Sequence, residues 1–161
     1  MTTTTYAITG LDPVALAALL DSGVDHADVP VEPFEDTSGG WPLRCCLTDS
    51  RIGDQLAIIA FSPFPWSSAY RETGPVVVHV ADCPGQSDRS LPPQFAERRQ
   101  LLRAYGVHGG REHSQVYDLN RIVEPGGLDE AITAVLADER VELVQARNVL
   151  PGCYSFTATR S

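Results

Sequence analysis

Apolar residues recur at helical spacing in two stretches of the 161-residue chain, and they alternate or run together in seven or eight shorter ones. In the first helical stretch Asp12 stands where an N-cap belongs and Pro13 at the first helical position. Val14, Leu16, Leu19 and Leu20 supply an apolar face, and Gly23 ends the helix. In the second, Gly126-Gly127 opens a helix over residues 128–137, with Ile132, Val135 and Leu136 at core spacing.

The strand-like stretches are residues 5–11, 43–48, 55–61, 75–80, 99–105, 114–117, 141–147 and 153–159. Residues 49–54 form the turn between the second and third of these. The run Pro75-Val76-Val77-Val78-His79-Val80 is the clearest strand, because consecutive β-branched residues suit a buried pleated surface. Gly106–Gly110 and residues 149–152 supply glycine-rich turns. Residues 24–40 are rich in proline, glycine and acid and predict an extended loop or arm. Residues 62–70 predict an irregular aromatic loop.

Strands following one another through the middle of the chain, with a helix near each end, predict an α+β fold: a mainly antiparallel, strongly curved sheet with two helices packed on it. The length fits one domain, residues 1–161, large enough to bury a core without disulfides or a metal.

Charge narrows the partners. Twenty-one carboxylates face twelve basic residues, every one of them arginine, for a net charge of -9. That balance repels phosphate backbones and anionic membrane surfaces, so neither nucleic acid nor membrane is an expected partner. The absence of lysine excludes Schiff-base catalysis by this chain and a P-loop lysine. No apolar run approaches the ~20 residues of a membrane span, the N-terminus lacks the basic and apolar regions of a signal peptide, and four cysteines without such a peptide point to reduced thiols. A cytoplasmic location is expected.

No dinucleotide-binding glycine motif, P-loop, HExxH, GxSxG or CxxC is present, and no cofactor is expected. Candidate chemistry rests instead on polar residues set in apolar strands. Arg44 and Cys46 lie two apart and would share a side of an extended chain, as would Arg103 and Tyr105; Arg147 and Asn148 close another strand. A buried arginine needs an anionic or hydrogen-bonding partner, either an internal carboxylate or a ligand. His79 is the natural proton-transfer group, since its ordinary pKa lies near neutrality. A metal is a further alternative: His79 and Cys83 are four apart, and Cys45, Cys46 and Cys153 could approach them. Adjacent cysteines on a strand point to opposite faces, however, so only one of Cys45 and Cys46 is expected to join such a set.

Several blocks, in order, resemble the bacterial domain-of-unknown-function family 1203. They are Arg44-Cys45-Cys46-Leu47 with the turn at Gly53; Ser62-Pro63-Phe64-Pro65; Ala69-Tyr70-Arg71-Glu72-Thr73-Gly74-Pro75; Val76-Val77-Val78-His79 with Cys83; Leu102-Arg103-Ala104-Tyr105; and Arg147-Asn148 with Gly152-Cys153-Tyr154-Ser155-Phe156. The resemblance spans about residues 41–160. It implies a shared fold and a shared pocket around Arg44, Cys46, His79 and Arg103, and it implies no activity.

The leading functional expectation is a small cofactor-independent enzyme acting on an anionic small molecule by acid/base chemistry such as isomerisation, cyclisation, elimination or hydrolysis, in keeping with a biosynthetic role. His79 and Tyr105 would be catalytic, and Arg44, Cys46, Arg103, Arg147 and Asn148 would bind substrate, with homodimerisation left open. The alternatives are a noncatalytic module binding a small molecule or a protein, and a structural zinc-binding domain.

Overall fold

A computed structural model describes residues 4–161. In chain order the elements are β1 (Tyr6–Thr9), α1 (Pro13–Ser22), β2 (Phe34–Glu35), β3 (Gln55–Phe61), β4 (Gly74–His79), α2 (Pro93–Ala96), β5 (Gln100–His108), β6 (Arg111–Gln115), β7 (Arg121–Val123), α3 (Leu128–Leu136), β8 (Val141–Asn148) and β9 (Tyr154–Arg160). The fold is α+β, and its strands pair antiparallel. They divide between two sheets, and the chain forms two compact units. One gathers residues 4–9, 65–71 and 89–161; the other gathers residues 10–64 and 72–88.

The first unit is built on the sheet β1-β9-β8-β5-β6, with β7 also paired to β5. Helix α3 packs against β5, β8 and β9. It buries Leu128, Ile132, Val135 and Leu136, each contributing roughly 1.5–3 kcal/mol. Phe95 and Phe156 meet edge to face with centroids 5.1 Å apart. At the β5–β8 register shift beside Gly106, an added Cβ would stand 1.9 Å from the Arg140 carbonyl oxygen, so only glycine fits there.

The second unit holds α1 and the sheet β2-β3-β4. Helix α1 begins and ends as its sequence predicts. The Asp12 carboxylate accepts the Val14 N–H at 3.1 Å. Gly23, left-handed at φ 73°, donates its N–H to the carbonyls of Leu19 and Leu20. In the β3–β4 hairpin Leu56 pairs with His79 and Phe61 with Gly74. The long segment before β3 contains only the two-residue β2, and carboxylates fix its irregular backbone. Asp25 accepts N–H groups of Ala27, Val29 and Ala60, and buried Asp36 accepts those of Ser38 and Gly39 and the Ser50 hydroxyl.

One predicted strand is replaced by a loop. Residues 43–48 do not extend. Pro42 and Asp49 form a single antiparallel bridge, the Leu43 N–H donates to the Thr48 carbonyl at 3.0 Å, and Arg44, Cys45 and Cys46 turn at the tip. Leu47 follows in the left-handed region at φ 60°, uncommon for a bulky side chain and a sign that the surroundings impose it. Among the described residues, no helix is long and apolar enough to cross a membrane.

Candidate metal centre

The loop at 43–48 is fastened to β4. Leu43 bridges Val77 in parallel, and the Arg44 N–H donates to the Val77 carbonyl at 2.9 Å. This places Cys45 and Cys46 beside His79, two residues further along the strand. Gly10 clamps the loop from the other side: the Leu11 N–H donates to the Arg44 carbonyl at 3.0 Å, and a Cβ on Gly10 would lie 2.3 Å from that same oxygen. Beneath the loop, Leu43, Cys46 and Leu56 form a small buried cluster with Phe34, Trp41, Cys45 and Val77 packed against it.

Four soft donors converge here. One ligand atom from each of Cys45, Cys46, His79 and Cys83 lies within 4.8 Å of all the others. The His79 Nδ1 is 3.6 Å from the Cys45 sulfur and 3.9 Å from that of Cys46, and the sulfurs of Cys45 and Cys83 are 3.3 Å apart. A tetrahedral zinc with Zn–S near 2.3 Å and Zn–N near 2.0–2.1 Å needs S···S edges of about 3.8 Å and S···N edges of about 3.5 Å. The three distances scatter around those values. All four cysteines of the chain are free thiols.

Hydrogen bonds outside the donor set orient it. The His79 Nε2 is 3.0 Å from the Asp54 carboxylate, which leaves Nδ1 facing the sulfurs. A carboxylate on the outer nitrogen is the usual partner of a metal-bound imidazole. The His79 backbone N–H approaches the Cys45 sulfur at 3.4 Å, and the Thr48 hydroxyl is 3.1 Å from the Cys46 sulfur. Hydrogen bonds to charged sulfur favour the thiolate. The Cys46 thiol is drawn down to about 5, chiefly by donation from the Cys45 thiol, with Thr48 and His79 adding to it. Cys45, as the donor of that bond, and Cys83, through partial burial, are pushed up. The Asp54 carboxyl is held low by the Arg51 N–H and then by His79.

The match of the family model described as "Protein of unknown function (DUF1203)" covers residues 40–160. The chain belongs to that family. No curated protein and no solved structure matches it. The DUF1203 region holds all four donors and Asp54.

Of the seven residues expected to be catalytic or substrate-binding, Cys46 and His79 meet in this cluster, and Arg44 is the residue before Cys45. The expectation that adjacent cysteines must diverge fails with the strand on which it rested: at the tip of a turn both sulfurs reach one centre. Arg103, Tyr105, Arg147 and Asn148 lie in the first unit. Arg103 and Tyr105 on β5 pair with Gln145 and Leu143 on β8, so Arg103, Gln145 and Arg147 share a sheet face. The Arg147 guanidinium donates to the Gln145 amide oxygen at 2.7 Å and the Gly152 carbonyl at 3.1 Å. Asn148 pairs with Gln100 on the opposite face, and its side-chain amide donates to the Cys153 sulfur at 3.6 Å. Cys153 is placed in the first unit.

Asp54 was missed at the sequence level, where it read as a turn residue. The signal available was its place: it directly precedes β3, whose Leu56 pairs with His79, so the turn carries a carboxylate to the end of β4. A cleft of about 240 Å³ runs along the cluster, with Leu16, Ala17 and Leu20 of α1 among its lining residues together with Cys45, His79 and Cys83.

Proposed function

We propose that this DUF1203 chain is a zinc-binding domain whose metal is held by Cys45, Cys46, His79 and Cys83. The observation that carries the reading is the convergence of the four donor atoms within 4.8 Å. Three thiolates and one imidazole form a soft donor set of the kind that selects zinc over hard cations. Asp54 on the outer nitrogen of His79 supplies the supporting shell. Protein purified without chelators should carry one zinc per chain, and cobalt substitution should give thiolate-to-metal charge-transfer absorption together with d–d bands of tetrahedral intensity. Cys46→Ala should lose both. Protein that retains no zinc and develops no charge-transfer band with cobalt ends the proposal.

A second reading, the acid/base enzyme, draws support from the His79–Asp54 pair, because a carboxylate 3.0 Å from an imidazole fixes its tautomer and orientation as a proton-transfer group requires. In that reading His79 serves an anionic small molecule held by Arg44. Metal content separates the two, since zinc would occupy the ring nitrogen that the enzyme needs free.

A further inference from the structure

The four donors are not equally enclosed. Cys46 is 2% exposed and packed with Leu43 and Leu56. Cys83 is exposed and sits on the irregular chain after β4, next to Asp82, whose backbone is left-handed at φ 58°. Cys45, His79 and Cys83 line the cleft; Cys46 is not among its lining residues. A structural zinc site has all four positions filled by protein donors, whereas a reactive one offers a position to a small molecule; here such a position opens only if one donor is released. Here Cys83, the most exposed of the four donors, lines a cleft to which α1 contributes the apolar side chains of Leu16, Ala17 and Leu20.

From this we infer that the cleft binds a small apolar thiol, which takes the place of Cys83 on the metal. The inference rests on the zinc reading above. In the exchange, the Zn–S bond to Cys83 breaks, a Zn–S bond to the incoming sulfur forms, and the proton of the incoming thiol passes to the Cys83 sulfur. Three thiolates and one imidazole still surround the ion, so the net charge of the centre does not change. A carboxylate or phosphate ligand would exchange a soft donor for a hard one. It would also place a strongly hydrated anion against Leu16, Ala17 and Leu20 on a protein of net charge -9. The apolar wall therefore selects the tail, and the metal selects the sulfur.

The test uses full-length protein loaded with cobalt and titrated with ethanethiol, propanethiol and butanethiol, with 1-butanol as the control. Each thiol should produce a saturable shift of the charge-transfer band with cobalt still bound. Affinity should rise about four-fold per added methylene, as burial of a CH₂ requires. The alcohol should have no effect. Cys83 should become alkylated by iodoacetamide only in the presence of thiol. Ala17→Phe, on the exposed side of α1, should fill the cleft and weaken butanethiol at least about ten-fold without lowering cobalt stoichiometry. Cys83→Ser should bind butanethiol more tightly, because no thiolate is then expelled.

A cobalt spectrum unmoved by thiol, a response that does not depend on chain length, or a shift that only accompanies loss of cobalt overturns the inference and leaves the zinc reading standing. Failure to bind cobalt at all overturns both.

Discussion

The two units of this chain solve the same problem by different means. In the first, backbone polar groups are paired mostly within one six-stranded sheet, and α3 covers that sheet with Leu128, Ile132, Val135 and Leu136. In the second, much of the backbone before β3 is irregular, and side chains meet its hydrogen-bonding needs: Asp25 takes three N–H groups, Asp36 takes two and two hydroxyls, and Asp54 takes one together with His79. Regular structure pairs itself, whereas a packed loop must import partners. A metal bound by two residues of one loop, the end of a strand and the chain beyond it would be one more imported partner. The second unit should therefore depend on a few polar anchors and the first on the sum of its apolar packing.

On the zinc reading, the largest expected effect follows from chelation. Structural zinc contributes an apparent 10–16 kcal/mol in small zinc domains near neutral pH. Chelation should therefore erase amide protection in β3, β4 and residues 42–49 while β5, β8 and β9 stay protected, as read by hydrogen exchange. Equal loss in both units would show that they unfold together and do not differ in this way.

Single substitutions should separate the units in turn. Ile132→Ala opens a cavity in the core under α3, where the side chain is fully buried, and should cost about 2–5 kcal/mol. Zinc stoichiometry should not change. Gly10→Ala does the reverse: its Cβ collides with the Arg44 carbonyl, so the loop bearing Cys45 and Cys46 must shift. Zinc affinity should fall while protection of β5 and β8 is kept. Competition with a chelator and hydrogen exchange on each variant check both outcomes.

What was legible in the sequence was the longer regular structure of both units. Periodicity and caps predicted α1 from Asp12 to Gly23, α3, β3 and β8 closely, because those elements rest on patterns within a few neighbouring residues. It also located Arg44, Cys46 and His79 as residues of interest. It failed at residues 43–48, where the short run Leu-Arg-Cys-Cys-Leu-Thr has strand-like character but the fold demands a turn. That demand comes from Gly10, Leu11 and Val77, far away in the chain, with Thr48 closing the turn, and the pattern of the run itself does not encode it. The convergence of Cys45, Cys46, His79 and Cys83 depends on that turn, so it was hidden for the same reason. Short β2, β7 and α2 lack enough residues to show a period.

A smaller effect should follow from Asp54→Asn. The amide oxygen can still accept the Arg51 N–H, so the turn survives, but the charge behind His79 is lost. Removing a carboxylate of this kind typically costs 10–100-fold in metal affinity. Competition titration should find zinc weakened to about that extent, with no change in the protection of the first unit. Unchanged affinity would mean that His79 does not hold the metal through Nδ1.

The smallest effect distinguishes the units by how each holds its carboxylates low. Asp25 lies below its ordinary value of 3.8 chiefly because the Ala60 N–H donates to it, with those of Val29 and Ala27. In the first unit Asp138 is drawn to about 2, chiefly by hydrogen bonds from the Arg140 side chain, and Arg140 also reaches Asp118 at 2.9 Å. The sign is the same for both. A folded value below the unfolded one means that the native state favours the anion, so the stabilisation is complete above about pH 5 and is lost as pH falls through the folded value. The physical sources differ. The Arg140 pairs are partly exposed ion pairs, which salt screens; the bonds to Asp25 come from fixed backbone dipoles at contact distance, which salt barely touches. Acid titrations followed residue by residue at low and high salt should therefore show the Asp138 carboxyl moving part of the way up toward its ordinary value at high salt, the Arg140 backbone N–H still holding it low, while Asp25 stays depressed. Equal movement of the two would show that Asp25 owes its shift to the nearby charge of His26, which salt screens, rather than to its three N–H donors.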